Sequence, residues 1–131
     1  MENISKRFVN RLYTLEAESS LLKAEECLID YLGVVYAGSL FYKDRISLIL
    51  SENGRGGCSH ILNWDVTADF NTAVMVNAFN AHVLELDDSH RIALTHLGAS
   101  IFSALIAVAE MRSCSIGQLL KGAVIGYEAA I

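Results

Sequence analysis

Between Ala99 and Met111 the chain is apolar on almost every side of a helix: Ile101, Phe102, Ala104, Leu105, Ile106, Ala107 and Val108 leave Glu110 as the one charge. Such a helix cannot be satisfied by a single neighbour and must be covered on most sides. A second apolar run, Ala123-Val124-Ile125-Gly126-Tyr127-Glu128-Ala129-Ala130-Ile131, makes a similar demand. The 131 residues contain no proline, so no ring interrupts the backbone of a long helix. Together these features predict an all-α chain, a bundle of helices with little or no sheet.

Composition removes several function classes. Apolar residues make up 53 % and charged ones 19 %, against typical values of about 45 to 50 % and about 25 %, which argues against intrinsic disorder. Fifteen acidic against ten basic residues give a net charge of −5. The longest basic cluster is Lys6-Arg7, too little to neutralise a phosphate backbone, so a nucleic-acid partner is not expected. Cys27, Cys58 and Cys114 form no CxxC pair, which indicates neither a disulfide framework nor a zinc knuckle and suits a reducing, cytoplasmic setting. The N-terminus has scattered charges and no apolar core of a signal peptide. Ile92 to Ala109 lacks Asp, Glu, Lys and Arg, but its dense part starts only at Ile101, too late to span a membrane; it reads as a buried helix.

Periodicity places the elements. Leu21, Ala24, Leu28, Tyr31, Leu32 and Val35 recur at steps of three and four, predicting an amphipathic helix from about Glu16 to Ala37 that Gly38-Ser39 ends. A shorter helix is expected through Ile46, Leu48, Ile49 and Leu50. Asn53-Gly54-Arg55-Gly56-Gly57 is the strongest breaker, read as a flexible turn because no GK[ST] follows to cradle a phosphate. Ser59 to Trp64 reads as extended, and its neighbours Cys58 and His60 as structural. A long helix is expected after Thr67, with Asp69 in its first turn and a stripe of Val76, Phe79, Val83 and Leu86 running to about Leu86. His82 and Glu85, three apart, share a neighbouring face. A loop from Asp87 to Leu97 leads to the apolar helix, and Ser115-Ile116-Gly117-Gln118 reads as the capping box of a last one. That last helix runs to Ile131 without a stop signal, so the chain reads as the front part of a longer protein.

Chemistry concentrates in one stretch. His82, Glu85, Asp87, Asp88, His90, Arg91 and His96 bring three of the four histidines and three carboxylates within fifteen positions. The residue types leave three readings open: a solvated helix end; a general acid/base site built on His96 and a carboxylate; or a metal set of Asp88, His90 and His96. Beyond His96, Gly98-Ala99-Ser100 opens the buried helix. Its free N–H groups and positive end could receive a substrate carboxylate, or the small residues could serve packing with Ser100 as an N-cap.

The stretch Asn77-Ala78-Phe79-Asn80-Ala81-His82-Val83-Leu84-Glu85-Leu86-Asp87-Asp88-Ser89-His90, followed by Thr95-His96-Leu97-Gly98, resembles the signature of the MmgE/PrpD family. That family includes 2-methylcitrate dehydratase and cis-aconitate decarboxylase. Cys27 to Gly33 is similar to its first-helix motif and Gly117 to Glu128 to its "GYE" helix, so the resemblance covers about residues 18 to 131. Leu97 stands where the family has proline, and Ala78 where it has glycine.

The resemblance implies that residues 1–131 are part of a helical N-terminal domain, with an α/β lid domain absent from this chain. It further implies homodimers and chemistry on small polycarboxylates without cofactor or metal. His96 matches the family's active-site histidine, Glu85 stands where many members carry an active-site Asp, and Ser89 occupies a Thr-like position. The reading is therefore the N-terminal part of a lyase or isomerase, a dehydratase, decarboxylase or epimerase. His96, Glu85, Asp88 and His90 are its catalytic candidates, and Ser89 and Gly98 its substrate-binding candidates. Family members are several times longer and carry their basic groups outside the matched region, so the isolated chain is expected to be inactive. The alternative is a non-catalytic helical remnant or partner-binding module whose apolar helices need another chain.

Overall fold

The computed structural model describes residues 3–53 and 56–131. Six α-helices are formed among them: α1 (Ile4–Tyr13), α2 (Leu21–Phe41), α3 (Lys43–Asn53), α4 (Phe70–His82), α5 (Gly98–Arg112) and α6 (Ile116–Ala130). A two-residue antiparallel ribbon, β1 (Ser59–His60) with β2 (Thr67–Ala68), sets Ser59 opposite Ala68 and His60 opposite Thr67. The structure is 69 % helical, and the class is the one the sequence predicts. No described helix is long and apolar enough to cross a membrane.

Helix α5 lies where its composition demands, against α2, α4, α6 and β1. Its Phe102 is fully buried with Leu28, Tyr31 and Val35 of α2 and Ala123 of α6. The Tyr31 hydroxyl is 2.7 Å from Ser103 Oγ, which itself donates to the Ala99 carbonyl, so Tyr31 is the donor and no buried hydroxyl is left unpaired there. Burial pushes the Tyr31 phenol well above its ordinary range. A second apolar cluster joins Ile46 and Leu50 of α3 to Ile61, Ala68 and, from α4, Ala73 and Val76.

Helix α2 does not stop at Gly38-Ser39. A Cβ on Gly38 would run into the Asn80 carbonyl of α4, so this glycine permits a close backbone crossing rather than ending a helix. Ser39 is buried beside it, donating to the Tyr36 carbonyl and accepting from Asn63 Nδ2 at 2.8 Å each. The helix also starts later than expected, after a 3₁₀ turn over Glu18–Ser20. It is apolar on two faces, not one. Ala24, Leu28, Tyr31 and Val35 are buried, whereas Leu22, Ile29, Leu32, Tyr36 and Leu40 form an exposed stripe along the outside. Leu32, expected inward, belongs to that outer stripe.

The extended stretch is shorter than expected. Strand β1 ends at His60, after which Asn63 adopts a left-handed φ of 65° and Trp64 N–H bonds the Ile61 carbonyl, closing a turn. Within the preceding breaker, Gly54 and Arg55 lie outside the described residues, while Gly56 N–H pairs with the Thr67 carbonyl. Helix α1 was not anticipated: Asn3 caps it by accepting from Ser5 N–H, and none of its residues is buried.

Helix α4 begins as the sequence suggests, although Asp69 is its N-cap and not a first-turn residue, accepting from the N–H groups of Asn71 and Thr72. Its end differs. The helix stops at His82, Glu85 takes a left-handed φ of 53°, and Leu86 points out at 64 % exposure. The buried face is Thr72, Ala73, Val76, Asn77, Asn80 and Ala81, three adjacent pairs four residues apart; its threonine and two asparagines conceal the period from an apolar count. Asn77 is buried because it bridges the β1 edge, donating to the His60 carbonyl and accepting from Leu62 N–H at 2.9 Å each. At Ser115 the predicted capping box forms in full.

Candidate active site

The left-handed turn at Glu85 reverses the chain after α4 and returns Asp87 to the helix it has just left. Asp87 is almost completely buried, with both carboxylate oxygens 3.0 Å from His82 Nδ1. The loop then closes on itself: His90 N–H donates to the Thr95 carbonyl at 2.9 Å, Leu94 N–H donates to the His90 carbonyl, and Ala93 N–H donates to His90 Nδ1. This closure delivers His96 to the other side of the same carboxylate, its Nδ1 3.3 Å from Asp87 Oδ1. The two imidazoles meet edge to face, ring centres 5.3 Å apart. A carboxylate can only accept, so His82 donates from Nδ1 and turns Nε2 away from Asp87, while His96 Nδ1 faces the same carboxylate at ion-pair distance.

Electrostatics single out His82. Its hydrogen bond to Asp87 raises its pKa above the ordinary imidazole value, opposed by partial burial and reinforced by the charges of Asp87 and Glu85. Glu85 Oε1 lies 3.5 Å from His82 Nε2. His82 and His96 line a cleft of about 450 Å³ with Ala78, Leu94, Thr95 and Ser100, against the start of α5.

The remaining candidates fall elsewhere. Asp88 turns away from the imidazoles and accepts from Gly98 N–H at 2.9 Å and from the Tyr127 hydroxyl at 2.6 Å. Burial and this carboxylate push the Tyr127 phenol far above its ordinary range, so it stays a donor. A Cβ on Gly98 would lie 2.5 Å from Asp88 Oδ1; the glycine is there to admit that carboxylate. The Gly98 N–H considered as a substrate dock is therefore already occupied from within the chain. Ser100 is not an N-cap: Leu97 holds that position, and the Ser100 hydroxyl donates to its carbonyl. Ser89 and His90, with Asp88, Tyr127, Lys23 and Cys27, line a second cleft of about 360 Å³. Burial raises the Cys27 thiol.

The metal set considered from the sequence is not assembled, since Asp88 and His90 are committed to the loop and to α5. The described residues that could hold a cation are His82, Asp87 and His96, each offering a donor atom within 4.8 Å of the others; the Asp87 oxygens already accept from His82. Two members of the histidine site, His82 and Asp87, were not among the sequence candidates. Their signal was their place in the polar cluster, masked by reading Leu86 as a continuation of the helix stripe. Glu85 touches His82 but not His96. His60, in β1, pairs with Glu110 of α5 at 2.8 Å, away from the histidine site.

Compared with known protein families, residues 4–131 match the model of the MmgE/PrpD N-terminal domain. The chain belongs to the MmgE/PrpD family. No curated protein and no solved structure matches it. The stretch that resembles the MmgE/PrpD signature, Asn77 to His90 with Thr95 to Gly98, is the one that folds into the turn, loop and helix start around Asp87. Its Asp88 ties that loop to Tyr127 of the "GYE" helix.

Proposed function

We propose that this chain supplies the proton-transfer face of an MmgE/PrpD lyase or isomerase acting on a small polycarboxylate, with His96 as the base. One observation carries the reading: a nearly completely buried carboxylate, Asp87, lies 3.3 Å from His96 Nδ1, a neighbour suited to orient an imidazole for proton transfer. Removing a proton from carbon beside a carboxylate places negative charge on that carboxylate. Loss of water or reprotonation on the opposite face can then follow; in a decarboxylation the order is reversed, the bond to CO2 breaking and a protonated His96 delivering its proton to carbon.

The same cleft explains why the isolated chain is proposed to be inactive. Among the described residues lining it there is no Lys or Arg, and a polycarboxylate needs cations to bind. Those groups are assigned to another part of the functional protein, or to a partner copy that covers the exposed stripe of α2. The stripe equally suits the second reading, a non-catalytic module that docks another chain.

The test is His96→Ala in the protein as produced in its own cells, assayed for conversion of 2-methylcitrate and related acids. Loss of turnover by about 100-fold or more is expected of a general base. Turnover unaffected by the substitution removes His96 from the mechanism, and metabolic inertness of the unaltered protein favours the non-catalytic reading.

A further inference from the structure

The reaction proposed above uses one imidazole, but the cleft contains two, and Asp87 joins them. We propose that His82 is the acid partner of His96: an imidazolium that protonates the leaving oxygen while neutral His96 takes the proton from carbon. The chemistry rests on the lyase reading; the division of protons between the rings rests on this chain alone.

Geometry divides the rings unequally. His82 faces two carboxylates, Asp87 at 3.0 Å and Glu85 at 3.5 Å. His96 faces only the shared oxygen of Asp87, at the longer distance of 3.3 Å. Opposite charge favours the protonated ring, and a like charge disfavours it. With ring centres 5.3 Å apart, two imidazolium ions would repel each other, and the two carboxylates beside His82 mark that ring as the one to carry the proton. The upward shift of His82 has the same direction.

In a dehydration the balance is simple. The C–H bond breaks and its proton joins His96 Nε2; the electron pair forms the C=C bond; the C–O bond breaks, and the hydroxyl leaves as water with the proton from His82 Nε2. Both rings are partly exposed, so exchange with solvent restores the starting protonation. Asp87 touches neither reacting atom. It is the positioning residue: it holds His82 in the Nδ1–H form by hydrogen bond and faces His96 Nδ1 at 3.3 Å.

The deciding experiment follows the ring nitrogens of the 131-residue chain by NMR across a pH titration. His82 is expected to protonate before His96, with both rings in the Nδ1–H tautomer when neutral. Asp87→Asn, checked for retained helix content, should mix the tautomers and bring the two protonation steps closer together. His82→Gln removes the neighbouring cation, and His96 should then take up its proton at higher pH than in the parent chain. Simultaneous protonation, an Nε2–H tautomer at His96, or a His96 step unmoved by His82→Gln each overturns the pairing. In the protein that turns over 2-methylcitrate, His82→Gln should slow dehydration by about 100-fold, and by far more than it slows α-proton exchange in D2O. Equal slowing of both overturns the acid role. Absence of any turnover defeats the lyase reading, while the ring titration still decides the pair.

Discussion

The Tyr127 hydroxyl donates to Asp88 Oδ2 at 2.6 Å, joining α6 to a loop residue 39 positions earlier. The other oxygen of Asp88 takes Gly98 N–H, so one carboxylate ties the loop, the start of α5 and the end of α6 together. Tyr127→Phe removes the hydroxyl and little else. A hydrogen bond to a charged group is worth about 1.5 to 3 kcal/mol, and a loss toward the lower end is expected in urea denaturation because the site is only partly buried. Asp88→Ala should cost more than Tyr127→Phe, since it leaves two donors without their acceptor. Equal stability of Tyr127→Phe and the parent would show that the tie does not hold the loop.

The upward shift of His82 sets a pH dependence whose sign is fixed. The folded chain holds the His82 proton more tightly than the unfolded chain, whose value is about 6.5. The resulting stabilisation is fully present below that pH and is lost as pH rises through the folded value. The thermal midpoint of the parent should therefore exceed that of His82→Gln by more at pH 6 than at pH 8.5. Because the ring is half exposed, solvent screening keeps the effect small. A gap between the two proteins that widens on raising the pH would contradict the Asp87 contact as its cause.

Two glycines of α2 should respond in opposite directions to the same change. Gly38 touches the Asn80 backbone across the α2–α4 crossing, whereas a Cβ on Gly33 would meet nothing within 4 Å. Gly33→Ala should gain up to about 1 kcal/mol from helix propensity alone. Gly38→Ala gains the same propensity but must push two helix backbones apart, a strain typically costing about 1 to 3 kcal/mol, so a net loss is expected. Chemical denaturation of the two variants side by side checks this, and stabilisation by both would mean that the crossing is looser than described.

Those two glycines also show where sequence reading succeeds and stops. The Ser115 capping box was legible because both partners lie within four residues, and the cover demanded by α5 was legible because it depends on composition alone. Gly38 looked like a helix end because a glycine that stops a helix and one that admits a neighbour are locally identical; only Asn80, 42 positions away, distinguishes them. In the candidate site, His96 was legible from its motif. Asp87 was not, because its burial depends on Glu85 entering a left-handed turn and on His82 waiting at the helix end. Nor could spacing tell that adjacent carboxylates part, Asp87 to the imidazoles and Asp88 to Gly98 and Tyr127.

The outer stripe of α2 carries the last prediction. Leu22 is 78 % exposed and Ile29 65 %, and the two lie seven residues apart on the same side of the helix. Neither contributes to either apolar cluster, so replacing both with Glu removes no internal packing, and surface changes of that kind usually shift stability by no more than about 0.5 kcal/mol each. If the stripe is covered in the working protein, by a second copy or by the remainder of its own domain, two carboxylates buried at that contact must oppose association. The expected outcome is an unchanged helix signal in circular dichroism together with a smaller particle in light scattering. An association state indifferent to both substitutions would move the partner surface away from α2.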